Sequence, residues 1–200
     1  MWWDMLKRFR QVVAVLGLTL ALAACDVPVA VQKLPQLTFR HLAPIPLNVV
    51  DLQVANQARP PMTAPHMAHL MPAPPAQALK RWAEDRLRIS GRSGTARFTI
   101  LSAEVTETRL AIDKSVTGLF KKQQSDRYDG KIEATLEIFD DRGTRRGRVT
   151  AQAFRSLTMA EDLTLVQRRR KWFELVEAMM GDFNTTMERN ISSYLTEFLR

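Results

Sequence analysis

One cysteine in 200 residues, Cys25, leaves this chain unable to close an internal disulfide. Its fold must be held by a packed core instead. The sequence contains no G-x-x-x-x-G-K, G-x-G-x-x-G or G-x-S-x-G, so the phosphate-cradling loops and the nucleophile elbow are missing. Histidine is scarce. His66 and His69 stand together in "APHMAHLMP", flanked by prolines and without a third ligand nearby, and they read as a surface-loop pair. Asp113, Asp126, Asp129 and Glu133 are the available carboxylates for acid–base work, yet they lie beside strands, where such groups are ordinarily solvated. The expectation is a protein that is not an enzyme and needs no metal and no cofactor. No run reaches the roughly 20 apolar residues that span a bilayer as a helix.

What the sequence does have begins at its start. Lys7, Arg8 and Arg10 precede a stretch, Gln11 to Ala24, that carries no charge. A basic region, an apolar region and small residues before a cut are the parts of a secretion signal. Leu22-Ala23-Ala24 leads directly into Cys25 and resembles the bacterial lipobox. That resemblance implies cleavage between Ala24 and Cys25, a diacylglycerol on the sulfur and acylation of the new amine. Two or three acyl chains hold a protein firmly where one binds reversibly. Asp26 resembles the residue that retains lipoproteins at the inner membrane of enteric bacteria, and serves equally as a polar linker residue. The expected location is the cell envelope, anchored by lipid and facing the periplasm.

Removing residues 1–24 takes away three positive charges and one negative, so the net charge goes from +8 to +8 − 3 + 1 = +6. In an envelope protein this excess favours an anionic lipid or a negatively charged partner over nucleic acid.

The pattern along the chain predicts an α+β fold: a small antiparallel sheet of about four strands, with two helices on one face and the C-terminal helix long. Residues 25–46 read as a tether, and residues 47–200 as a single domain. "IPLNVVDLQV" predicts the first strand, and six prolines from Pro60 to Pro75 predict an extended loop. "AQALKRWAEDRLRIS" has helical spacing with Leu79 and Trp82 inward. In "ARFTILSAEVTETRL" the apolar parity switches, which calls for a bulge near Leu101-Ser102 or a strand buried on both faces. "YDGKIEATLEIFDD" alternates cleanly, Tyr128, Ile132, Ala134, Leu136 and Ile138 against Lys131, Glu133, Thr135 and Glu137, and turns at Asp140–Gly143 into "GRVTAQAFRSL". From about Glu161 to Phe198 one stripe keeps helical spacing through Gly181, although Thr185 and Glu188 would also suit a restart. At ~1.5 Å per residue that helix is about 55 Å long, longer than the sheet expected under it.

On top of the lipobox, this order resembles the small envelope lipoproteins that assist lipopolysaccharide assembly or serve lipid-transport systems. "YDGKIEATLEIFDDRG" and "AQAFRSLT" followed by a helix carry the likeness, which brings no functional residue with it. Two segments have the chemistry of contact surfaces. Leu119 and Phe120 beside Lys121 and Lys122 suit a loop that enters a membrane interface or a partner. Arg168, Arg169, Arg170 and Lys171 before Trp172 and Phe173 set cations beside aromatics, though consecutive residues point around a helix rather than to one side. Both segments also fit solvated charges over a buried aromatic. The reading that follows is a non-enzymatic binding or adaptor module for an envelope transport or assembly complex. The alternative is direct binding of lipid or lipopolysaccharide in a groove between helix and sheet.

Overall fold

Each of the five apolar residues in the alternation of "YDGKIEATLEIFDD" is buried, and the four polar ones between them form the opposite face. The structure, a computed structural model, describes residues 34–111 and 124–200. Ala24, Cys25, Asp26, Asp113 and the Leu119, Phe120, Lys121 and Lys122 group lie outside the described residues. The elements run β1 (Ile45–Leu47), β2 (Asp51–Asn56), α1 (Pro75–Arg86), β3 (Leu87–Ile89), β4 (Thr95–Arg109), β5 (Gln124–Phe139), β6 (Arg145–Ala160) and α2 (Leu165–Tyr194). Short 3-10 turns occupy Ala68–Leu70 and Thr196–Phe198.

The main sheet has the order β2-β4-β5-β6. β4, β5 and β6 are antiparallel, as expected, but β2 pairs with β4 in parallel, so the sheet is mixed. The cause is the connection: residues 57–94 contain α1, and a crossover of this length returns the chain in the same direction. The parity switch in β4 is a bulge. Ile100 faces Ala134 and Ser102 faces Glu133, which leaves Leu101 as the extra residue.

Both helices cover one face of the sheet, giving an α+β fold with a long C-terminal helix. Trp82 of α1, Phe98 of β4 and Phe183 of α2 meet with ring centroids 5.3 to 6.4 Å apart, two of the three pairs edge-on. Trp82 also donates to Asn184 at 2.8 Å. Met179, Met180 and Met187 are fully buried, which settles the methionines of α2 as core. The helix passes through Gly181 without a break and is capped at Thr164, where a box with Gln167 satisfies both backbone donors. Its 30 residues match the sheet, because β5 and β6 have 16 residues each. The strands are longer than their cleanest alternation suggested, so the helix does not outrun them.

Two boundaries differ from the sequence reading. α1 stops at Arg86 rather than continuing to Ile89, because Leu87–Ile89 pairs in parallel with Ile45–Leu47. The C-terminus joins the same small sheet through the antiparallel bridge between Leu47 and Leu199. Residues ahead of 47 also pack on the folded residues, with Leu37 and Leu42 against the core. Phe39 is buried, and Asp85 accepts hydrogen bonds from Thr38 Oγ1 and Phe39 N–H at 2.9 Å and from Arg40 Nε at 3.1 Å. Beside it Arg86, only 1% exposed, donates to the Ala43 carbonyl and, at 2.8 Å, to Glu188 of α2.

Burial alone would push the Asp85 carboxyl up, but the donors from Phe39, Thr38 and Arg40 outweigh it and hold the group below the ordinary 3.8. The folded state therefore takes up this proton less readily than the unfolded chain, and the stabilisation, complete above the unfolded value, drains away as pH falls through the folded one. Asp85→Asn should cost about 2 kcal/mol at neutral pH. In urea titrations its deficit against the parent should narrow below about pH 4. A Cβ on the exposed Gly181 meets nothing within 4 Å, so Gly181→Ala should raise stability by about 0.7 kcal/mol in the same assay.

Candidate binding surface

The face of the sheet turned away from the helices is polar, with Arg97, Arg148 and Phe154 exposed on it and Thr99, Ser102 and Thr135 buried in its middle. Across it Glu137 stands between Arg97 and Arg148, Thr135 between Thr99 and Thr150, and Lys131 between Glu104 and Phe154. The charges largely answer one another: Arg145 reaches Glu137 at 3.0 Å, Lys131 reaches Glu133 at 3.6 Å and Arg127 reaches Asp129 at 2.9 Å. Ser156 also donates to Asp129, and this bond, reinforced by Arg127 against the opposing effect of burial, keeps that carboxyl below its ordinary value. Arg97 lies over the Phe139 ring at 4.9 Å. Near it Val50, Gln53, Thr95, Phe139 and Asp141 line a shallow depression of about 470 Å³.

The exception on this face is Phe154, 57% exposed, with Lys131 Nζ 5.8 Å from its ring centre. It sits on β6, and β6 is the outer strand of the sheet: among the described residues no strand pairs with its far side. Sixteen residues make a long edge, and Arg145, Arg146 and Arg148 supply the charge that keeps such an edge from uncontrolled pairing. A cleft of about 320 Å³ lined by Arg148, Val149, Thr150, Asn190 and Tyr194 runs beside it. Asn190 Nδ2 donates to the Thr150 carbonyl at 2.8 Å, and Tyr194, 74% exposed, stands at the rim. The sequence held a signal for Phe154. Its parity opposes the buried Val149, Ala151 and Ala153. Tyr194, by contrast, keeps helical spacing with the buried Met187 and Ile191 and is nonetheless exposed.

The cation run at the start of α2 separates into three roles. Arg168 is committed to the fold: it donates to Asp126 at 2.8 Å, and Ser125 donates to the same carboxylate at 2.8 Å. Burial opposes ionisation of Asp126, but these donors win and its pKa is lowered. Arg170 and Lys171 both lie on Glu174, at 3.4 and 2.9 Å. Arg169 is exposed and has no ion pair among the described residues. Next to this group the Tyr128 hydroxyl donates to Glu107, and burial first, then that carboxylate, pushes the phenol above its ordinary 10. The ring packs edge-on against Trp172 at 5.7 Å.

Three of the four carboxylates considered for catalysis are thus engaged, and the fourth, Asp113, lies outside the described residues. Asp126 holds Arg168, Asp129 holds Arg127 and Ser156, and Glu133 holds Lys131. His66 forms a bridge with Thr106 of β4, and among the described residues no three or more His, Cys, Asp or Glu gather as a metal site. The layer between α2 and the sheet is filled rather than grooved. Gly130 leaves room for Met179, whose sulfur lies 2.5 Å from where a Cβ would stand. An acyl chain there would have to displace Met179, Met180 and Phe183, all fully buried.

The split within the cation run is testable. Arg168→Gln should lower stability by about 2 kcal/mol, since it leaves Asp126 buried without its charged partner. Arg169→Gln should change it by less than about 0.5 kcal/mol, and urea denaturation separates the two. Searches for relatives find no matching family model and no matching curated protein. Among solved structures, a minor lipoprotein from Acinetobacter baumannii is 17% identical, with a TM-score of 0.36 over 72% of this chain and 93% of its own. The rare lipoprotein B of Shewanella oneidensis is 10% identical, with a TM-score of 0.34 over 72% of this chain and 96% of its own. Both neighbours are lipoproteins, but scores this low decide neither the fold nor the function of this chain.

Proposed function

We propose that this chain is a lipid-anchored envelope protein whose folded domain acts as a binding or adaptor module, with an envelope protein as partner in a transport or assembly complex. The acyl chains on Cys25 supply location, and the domain supplies contact without chemistry of its own. One observation supports this reading above the others: among the described residues the 16-residue β6 ends the sheet with no strand paired to its outer side. Such an edge offers a row of backbone donors and acceptors to an extended segment of another chain, while pockets for alternate side chains give selectivity. Phe154 and the cleft beside Tyr194 and Asn190 provide the side-chain part. Direct lipid binding between helix and sheet is the weaker reading because that layer is packed.

Photo-crosslinkable residues placed singly at Phe154, Tyr194 and Glu177 in intact envelopes test this reading. Positions 154 and 194 should give a protein adduct of discrete mass, and Glu177, exposed on α2, should give none. The adduct should weaken at least fivefold with Arg148→Glu and disappear with Cys25→Ser, which removes the anchor. Adducts confined to position 177, or absent from all three, would remove the β6 edge as the contact.

A further inference from the structure

The two helices run in the same direction, because Trp82 meets Asn184 and, four residues on, Arg86 meets Glu188. α2 starts beside the base of the β4–β5 connection, where Arg168 holds Asp126, and ends beside Gly147 near the β5–β6 turn. The N-terminal half of α1 therefore lies toward the end of the domain at which α2 begins. Leu34 to Leu37 lie against that half, lining a small hollow with Pro72, Pro74, Gln77 and Arg81. By the same register Pro75 lies level with about Glu177, so the chain enters the folded unit beside the middle of α2, about 18 Å along its axis from Leu165. Eight residues lie between Cys25 and Leu34, nine Cα steps that at full extension reach at most about 30 Å.

The first turn of α2 presents Leu165, 67% exposed, and Val166, 54% exposed, to solvent. Adjacent apolar residues at a helix tip, ahead of the buried stripe that begins at Phe173, add nothing to the core. The nearby charges are mostly answered, Arg168 by Asp126 and both Arg170 and Lys171 by Glu174, with Glu161 and Asp162 just before the helix. The tip is thus an apolar pair ringed by charges of both signs, with Arg169, four residues after Leu165, exposed on the same side.

We propose that Leu165 and Val166 dock into the interface of the phospholipid leaflet that carries the anchor, giving the domain a fixed end toward the membrane. The inference rests on acylation of Cys25. Two side chains are too little to bring a free protein to a bilayer, but a tether of this length keeps them at high local concentration, and a weak contact is then populated.

The test uses the full mature protein reconstituted in vesicles of phosphatidylethanolamine and phosphatidylglycerol. With Cys25 acylated, Val166→Cys or Tyr194→Cys supplies the one free thiol for an environment-sensitive fluorophore. The probe at 166 should shift to the blue and be quenched at least twofold by lipids carrying nitroxides near the head group, in low and high salt alike. The probe at 194, at the other end of α2, should remain water-like, and Leu165→Asp should weaken the quenching at 166. An acylated protein whose 166 probe stays water-like overturns the contact and leaves the anchor standing. Equal quenching at both positions, a blue shift without quenching by lipid, or a signal lost in high salt would each overturn it too, the last assigning the contact to the arginines. A mature chain whose mass lacks acyl groups removes the anchor, and this inference with it.

Discussion

Two opposite charges at the end of one short helix hold the rest of this molecule in register. Asp85 and Arg86 are consecutive and nearly inaccessible, and because neighbouring helical residues point about 100° apart they serve different partners. Asp85 gathers the incoming strand of chain at Thr38 and Phe39, and Arg86 ties the Ala43 carbonyl to Glu188 of α2. Buried charges are costly unless their hydrogen bonds are met, so this pair fixes where the N-terminal segment lies more sharply than apolar packing alone could. From that placement follow the pairing of β1 with β3, the bridge from Leu47 to Leu199 and the side of the domain on which the chain enters.

Sequence patterns exposed whatever was encoded locally. The alternation of β5, the switched parity at Leu101 and the unbroken stripe through Gly181 each depend on the period of one element, and each has its counterpart in the structure. Contacts between distant segments left no such trace. Nothing near Leu87 announces that three residues will leave a helical pattern to pair with Ile45–Leu47, since that preference belongs to the partner strand. The residues around Thr38 looked like tether because their partner, Asp85, is 47 positions away. Arg168 looked like its three neighbours for the same reason. Its carboxylate is 42 positions earlier, and only that distance separates a structural arginine from the exposed Arg169.

The candidate surface was legible in a different proportion. Glu133 and Glu137 were readable as a wet face, but a wet face does not reveal whether it is an edge or a centre. Strand order decides that, and here it puts the longest strands at one side with β6 outermost. Phe154 acquires its meaning only there, because an exposed aromatic in the middle of a solvated sheet is ordinary, whereas one on a free edge lies where another backbone can pair.

Length links this surface to the anchored end. Strands of 16 residues extend about 50 Å, and α2 spans the same axis, so the β5–β6 turn stands far from the tip at Leu165. Around that turn Arg142, Arg145, Arg146 and Arg148 are all exposed, with Arg145 and Arg148 on Glu137 and Arg146 on Asp140. Charge interactions in physiological salt fade within about 8 Å. Were the α2 tip at the bilayer, the arginines near the turn would stand several such lengths from the lipid head groups. Their excess is left for whatever approaches from the other side, along the free edge of β6, where a negatively charged segment would meet both the backbone row and the guanidinium groups.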